Sequence, residues 1–242
     1  MSVLQVLNAT KQFGKLVAVA PGELRAIIGP NGAGKTTFFN LISGFFPPTS
    51  GTIHFDDRDI TKLPEHRRVK LGMARTFQVT EIFPELTVRE NLRVPVEVAA
   101  GHRLKPRMSK NDEVTAAARI EELLEMGGLS GMGDRLVGEL SHGDQRATEI
   151  MMSIALKPRL LLLDEPTAGM GDQETYHVTQ LIRRLHRDEK LTIMLVEHDM
   201  RVIFHLADRI MVLAEGAVLA EGTPDEIAKN ETVQAAYLGK AA

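Results

Sequence analysis

A chain of 242 residues, 43% apolar and 25% charged, is long enough to bury a large core and has the balance of an ordinary globular protein. A formal net charge of −3 excludes the basic excess that would point to nucleic acid, and the absence of cysteine excludes disulfides and thiolate metal sites, as suits a reducing cytosol. The N-terminal MSVLQVLNATKQ lacks the features of a signal peptide, and no run approaches the roughly 18 apolar residues of a membrane span, so the protein is not expected to cross a bilayer by itself.

Apolar strand-like runs alternate with helical stretches, the pattern of an α/β fold with a largely parallel sheet. Leu24–Ile28 is the first such strand, and it leads into Gly29-Pro-Asn-Gly-Ala-Gly-Lys-Thr36. This matches the phosphate-loop pattern G-x-x-x-x-G-K-[ST]. Its glycines let backbone N–H groups turn inward around phosphate oxygens. The helix beginning over Thr37–Ile42 adds its positive end, Lys35 a point charge, and Thr36 a hydroxyl for magnesium.

From Thr87 to Leu156 strand signals fade. Thr87-Val-Arg-Glu90 is a capping-box start, and Pro95 is expected to kink or end that helix. GHRLKPRMSKND reads as an exposed loop. Val114, Ala117, Ile120 and Leu124 mark one face of a helix stopping at Gly127-Gly128. The stretch ELSHGDQRATEI opens another helix, with Ser141 as cap and Asp144 like the second half of a capping box; Ala147, Ile150, Met151, Ile154 and Ala155 form its apolar face. Gly143 in its first turn costs up to about 1 kcal/mol against a better helix former, which makes sense if something must approach bare backbone there.

Leu160–Leu163 is a fully apolar strand ending in Asp164-Glu165-Pro166, and Thr192–Val196 is another, ending near His198. A carboxylate ending a buried strand beside a phosphate loop can hold magnesium, a role that suits Asp164; Glu165, next along, can orient or deprotonate an attacking water. RIMVLAEGAVLAEG reads as a hairpin turning at Glu215-Gly216, and Thr223-Pro224-Asp225 starts a short helix.

The phosphate loop, Gln78, Leu140–Arg146, Leu160–Pro166 and His198, in that order and spacing, resemble the ATP-binding cassette (ABC) ATPases over nearly the whole chain. The resemblance implies a P-loop NTPase of the ABC ATPase fold, with a mostly parallel core sheet, an antiparallel β part and an inserted helical lobe. The core would take residues 1–79 and 157–242, and the signature-bearing lobe 80–156. It implies ATP and Mg2+ as ligands. Asn31, Gly32, Ala33, Gly34, Lys35, Thr36 and Thr37 would hold the phosphates, Phe13 would stack on adenine, and Thr36, Gln78 and Asp164 would serve the metal. Glu165, His198 and Gln78 would be catalytic. Ser141 and Gly143 would contact the γ-phosphate bound by a second ATPase subunit packed head to tail.

Within that family, GMARTFQVTEIFPELTVRENL, LVEHDM and GTPDEIAKNETVQAAYLG look like ATPases of branched-chain amino-acid importers and related amide or urea importers, and more like the longer of their two paired ATPases. This implies a motor subunit peripheral on the inner face of the membrane. Its partners would be another ATPase, two permease subunits and, indirectly, a periplasmic solute-binding protein, with no nucleic acid. The residues around Gln78 to Glu85 would pass motion to the permease. The alternative is a non-transport cassette protein of translation or DNA repair. Translation types usually carry two cassettes per chain and repair types a long coiled coil before the signature; neither is found, nor is the guanine loop of a GTPase.

Three departures stand out. His142 and Asp144 replace the commoner Gly and Gln of the signature, and Asp144 brings negative charge near a phosphate, which its capping role makes tolerable. Gly171 stands where an Asp or Asn usually couples the two ATP sites. About eight to ten residues, roughly a strand and a turn, are missing before Pro21. Either an edge strand is lost or residues are absent from the sequence itself, the second being favoured.

Overall fold

The computed structural model describes residues 2–10, 17–76, 82–101 and 109–238. The chain packs into two units. One comprises Met1–Met73, Arg159–Glu165 and Leu185–Ala242, and the other Ala74–Pro158 and Pro166–Arg184. The second unit thus takes in residues 166–184, which the sequence reading leaves in the core.

The first unit carries two sheets. Strands β1 (Leu4–Thr10), β2 (Val17–Val19), β4 (Ser50–Phe55) and β5 (Arg58–Asp59) form an antiparallel sheet in the order β2-β1-β4-β5. Strands β3 (Leu24–Ile28), β7 (Leu160–Asp164), β8 (Thr192–Val196), β9 (Arg209–Ala214) and β10 (Ala217–Gly222) run in the order β10-β9-β3-β8-β7; β6 (Met73–Arg75) lies where the chain passes from the first unit to the second. The pairs β3–β8, β3–β9 and β7–β8 are parallel; β10 returns antiparallel on β9. Every residue of β3, β7 and β8 is buried, as expected of strands covered on both faces. Helix α1 (Lys35–Ser43) drives Phe38, Phe39, Leu41 and Ile42 into a core shared with Leu4, Ile53, Leu162, Met194 and Leu213. This is the α/β architecture of a mostly parallel core sheet with an antiparallel β part.

The shortfall before Pro21 leaves a strand in place all the same. Val17–Val19 pairs with β1, Val19 is buried, and the Val3 N–H donates to its carbonyl at 2.9 Å.

Arg68, in helix α2 (Glu65–Lys70), closes the far end of α1. It is almost wholly buried, and its guanidinium donates to Leu41 O (2.8 Å), Ile42 O (2.7 Å), Leu63 O (2.8 Å) and Thr61 O (3.2 Å). The first two are among the carbonyls a helix end leaves unpaired. Burial lowers its pKa to about 10, the Glu65 charge opposing, so it stays cationic at neutral pH. The unit also holds α7 (Met200–Leu206), α8 (Pro224–Ala228) and α9 (Glu231–Leu238).

In the second unit α3 (Val88–Ala99), α4 (Lys110–Gly127) and α5 (His142–Ala155) pack pairwise, and a 3-10 turn at Val137–Glu139 precedes α5. Most of α6 (Asp172–Arg187) belongs here too. The Thr87–Glu90 capping box is complete, with both reciprocal bonds. Two expectations need correction. Of the kink or end expected at Pro95, the end does not occur: helix α3 continues to Ala99, Pro95 and Val96 are buried, and packing on α4 and α5 outweighs the one hydrogen bond a proline removes. The buried face of α4 is Ala116, Ile120, Leu123 and Leu124, while Val114 and Ala117 are exposed. The Thr-Ala-Ala-Ala run at 115–118 offers little apolar contrast, so periodicity alone put the face out of phase there.

Candidate functional site

Strand β3 ends at Ile28, and the phosphate loop begins against the β9–β10 hairpin. A Cβ on Gly29 would lie 2.2 Å from the Leu213 carbonyl oxygen, so only glycine lets the loop leave the sheet here. At the hairpin tip, Glu215 (φ 50°) and Gly216 (φ 77°) form the turn expected from sequence, and the Gly216 N–H donates to Ala33 O at 3.1 Å. Gly34, left-handed at φ 99°, caps α1. Asn31, Gly32 and Thr36 form an exposed rim, whereas Ala33 and Lys35 are buried.

The Lys35 ammonium turns back into the loop, donating to Gly29 O (2.7 Å) and Pro30 O (3.2 Å). Burial lowers its pKa, and the charges of Glu165 and then Asp164 act to raise it. Strands β3, β8 and β7 are parallel, with Ile27 and Asp164 both in register with Val196, so the phosphate loop and the two carboxylates leave the same edge of the sheet. Asp164 ends β7 in register with Val196 and is buried. Glu165 leaves the strand in the left-handed region, φ 47°, with its N–H bonded to Val196 O at 2.8 Å. A non-glycine residue held there costs of order 1 kcal/mol, and such strain gathers at functional positions. The Glu165 carboxylate oxygen Oε1 lies 2.9 Å from His198 Nε2. The buried Glu197 fixes the chain beyond β8 by accepting from the His198 N–H at 2.7 Å, while Asp199 caps α7.

Ser141 caps α5 as expected, accepting from the Asp144 N–H at 3.2 Å. The reciprocal half differs from a capping box. The Asp144 carboxylate receives the Ser141 hydroxyl at 2.8 Å. The bare N–H of Gly143 is not open either: it donates to Glu174 Oε1 at 3.2 Å, and the other oxygen of Glu174 accepts from the Gly171 N–H at 3.3 Å. These two N–H groups, Gly143 first, and then the charge of His142, lower the Glu174 pKa.

Lys35, Asp164, Glu165 and His198 thus come together in the first unit. Ser141 and Gly143 share a helix turn in the second. Phe13 and Gln78 lie outside the described residues. Among the described residues no group of three or more His, Cys, Asp or Glu could hold a metal ion. Thr36 and Asp164 offer an oxygen-only donor pair, which suits a hard cation such as magnesium that also takes oxygens from a phosphate and water. Sequence reasoning missed Glu174, Glu197, Arg68 and the bond from the hairpin tip's Gly216 N–H to Ala33 O. Each acts through a contact that no motif encodes.

The chain is similar to known proteins over nearly its whole length. A family model described as "ABC transporter" matches residues 16–168, and one described as "Branched-chain amino acid ATP-binding cassette transporter" matches residues 217–242. The chain is 39% identical to the high-affinity branched-chain amino acid transport ATP-binding protein BraF of Pseudomonas aeruginosa over 256 aligned positions, covering 99% of this chain and 98% of the relative. The LivG protein of Escherichia coli (strain K12), described in the same words, matches with the same figures. A probable LivG of Archaeoglobus fulgidus is 34% identical over 99% of this chain and 96% of its own length. The alignment to BraF is longer than this chain, so that relative carries residues that this chain lacks. Among solved structures, an ATP-binding cassette of an ABC transporter in its ADP conformation superposes with a TM-score of 0.83 at 25% identity, covering 99% of this chain and all of the other. A nucleotide-free cassette gives 0.81 at 27%, with the same coverage.

Proposed function

The chain belongs to the ABC transporter family, and from that premise we propose that it is the ATP-hydrolysing motor of an importer for branched-chain amino acids or related amino acids, amides or urea. The observation that carries the reading is the cluster of the first unit: a phosphate loop and an Asp-Glu pair at the same edge of one parallel sheet, with the Glu165 carboxylate 2.9 Å from His198 Nε2. The full-length likeness to BraF and LivG supports the transport role and the solute class.

In this reading the loop from Asn31 to Thr37 wraps the phosphates of ATP, and Lys35 exchanges its bonds to Gly29 O and Pro30 O for phosphate oxygens. Glu165 takes a proton from the attacking water, and His198 fixes the orientation of that carboxylate and contacts the γ-phosphate. Thr36, Asp164 and Gln78 would hold magnesium, which neutralises phosphate charge when bound. Phe13 stacks on adenine. Ser141 and Gly143 meet the γ-phosphate held by a second ATPase subunit, through the positive start of α5.

No described helix is long and apolar enough to cross a membrane. The proposed place of work is the inner face of the cell membrane, beneath two permease subunits served by a periplasmic solute-binding protein. The segment Gln78 to Glu85 would receive the permease. Its described part presents a half-exposed Phe83, tied to α3 by two bonds: its N–H donates to Asn91 Oδ1 (2.8 Å) and its carbonyl accepts from Asn91 Nδ2 (3.0 Å).

The test is Glu165→Gln. ATP binding should persist while turnover falls about 10²–10⁴-fold, the usual worth of a general base. A variant hydrolysing at the parent rate would remove Glu165 from the chemistry.

A further inference from the structure

Unpaired N–H groups at the start of a helix attract an anion. At the start of α5 the anion is supplied by the chain itself. The Glu174 carboxylate bridges the Gly143 N–H (3.2 Å) and the Gly171 N–H (3.3 Å), and the Asp144 carboxylate takes the Ser141 hydroxyl (2.8 Å). Both donors assigned above to a neighbouring subunit's γ-phosphate are therefore occupied by carboxylates of their own chain. The fit at Gly143 is close: a Cβ there would lie 3.2 Å from Glu174 Cβ. The hydrogen bonds and the nearby His142 hold Glu174 in its ionised form.

One N–H cannot serve two anions at full strength. We infer that Glu174 is a positioning residue: it holds the Gly143 N–H in the resting chain and yields it to the facing γ-phosphate when two ATP-loaded subunits close. This rests on the reading of Gly143 in the proposed function. The same carboxylate also holds Gly171, so its departure loosens the stretch 166–171, which follows Glu165 directly in the chain. Gly171 occupies the position where the family usually carries an acidic or amide side chain that couples the two ATP sites. Here the residue has no side chain, and its backbone N–H, tied through Glu174 to Gly143, supplies the link instead.

The experiment measures ATP-dependent pairing by sedimentation in a Glu165→Gln background, for the chain alone and with any second ATPase subunit found to co-purify with it. Adding Glu174→Ala should tighten pairing about 3- to 10-fold, because the competent state no longer has to be freed from an internal competitor. Glu174→Gln keeps a neutral acceptor and should fall between alanine and parent. With Glu165 intact, the ATP concentration for half-maximal hydrolysis should fall in the same order, a change that a purely structural role would not produce. Pairing that is unchanged or weaker in Glu174→Ala overturns the inference. If the alanine variant does not fold, Glu174→Gln decides alone: tighter pairing supports it, and equal or weaker pairing overturns it. Failure of the underlying reading has a different signature: Gly143→Asp would pair as tightly as the parent, showing that no phosphate meets this turn.

Discussion

In the proposed reading the phosphate loop and the start of α5 both offer backbone N–H groups to a phosphate, yet they are held differently. The loop is fastened by main chain and by a buried cation. Gly29 abuts the Leu213 carbonyl, Ala33 accepts from Gly216, and Arg68 ties down the far end of α1. At the α5 start the Ser141 hydroxyl and the Gly143 N–H are held by side chains, the Asp144 and Glu174 carboxylates. Main-chain contacts in a close-packed core have few alternatives, whereas a partly exposed carboxylate exchanges readily for another anion. In the proposed cycle the first kind of site binds the chain's own nucleotide, and the second takes and releases a neighbour's.

The sharpest way to break this contrast is Arg68→Ala. Losing a buried guanidinium leaves several carbonyls unpaired and should cost about 3 kcal/mol, or a melting temperature lower by about 6–12 °C for a chain of this size. A shift no larger than that of a cap deletion would show that the loop is not specially anchored. Ser141→Ala comes next: about 1 kcal/mol of stability, as for an ordinary cap, with ATP binding to the isolated chain unchanged by equilibrium titration. Weakened binding to the isolated chain would mean that the two half-sites are not separable. The smallest effect is at acid pH. Hydrogen bonds from Thr87 lower the Glu90 pKa, and those from Thr223 lower that of Glu226. A depressed carboxylate contributes stability that is present above its unfolded pKa and lost as pH falls through the lower folded one. Glu90→Gln and Glu226→Gln should therefore flatten the loss of stability below about pH 4.5 and leave its slope near neutrality unchanged, as followed by chemical denaturation across pH. An unaltered acid limb would remove the caps from the account.

What was legible in the sequence was local. Strands β3, β7 and β8 announce themselves as apolar runs, the caps at Thr87 and Thr223 as short spacings, and the hairpin as Glu215-Gly216. The phosphate loop and the Asp164-Glu165 pair were readable because one stretch of backbone carries each chemistry. Arg68 was not: inside Glu65-His-Arg-Arg-Val-Lys70 it looks like part of a solvated charge run, and only the fold buries it. Glu174 gives no sign of its partner, which lies 31 residues earlier in the chain. The phase of α4 slipped because alanine marks a helical face poorly, and Pro95 misled because neighbouring helices decide what a proline interrupts.

The β9–β10 turn lies at the surface, where chains ordinarily accept an inserted residue or two at little cost. Here its length is fixed. One added residue would carry the Gly216 N–H away from Ala33 or the Leu213 carbonyl away from Gly29. The tip must therefore keep its residue count even where its side chains drift, and a tag or loop graft placed there would be felt by bound nucleotide before it was felt by the fold.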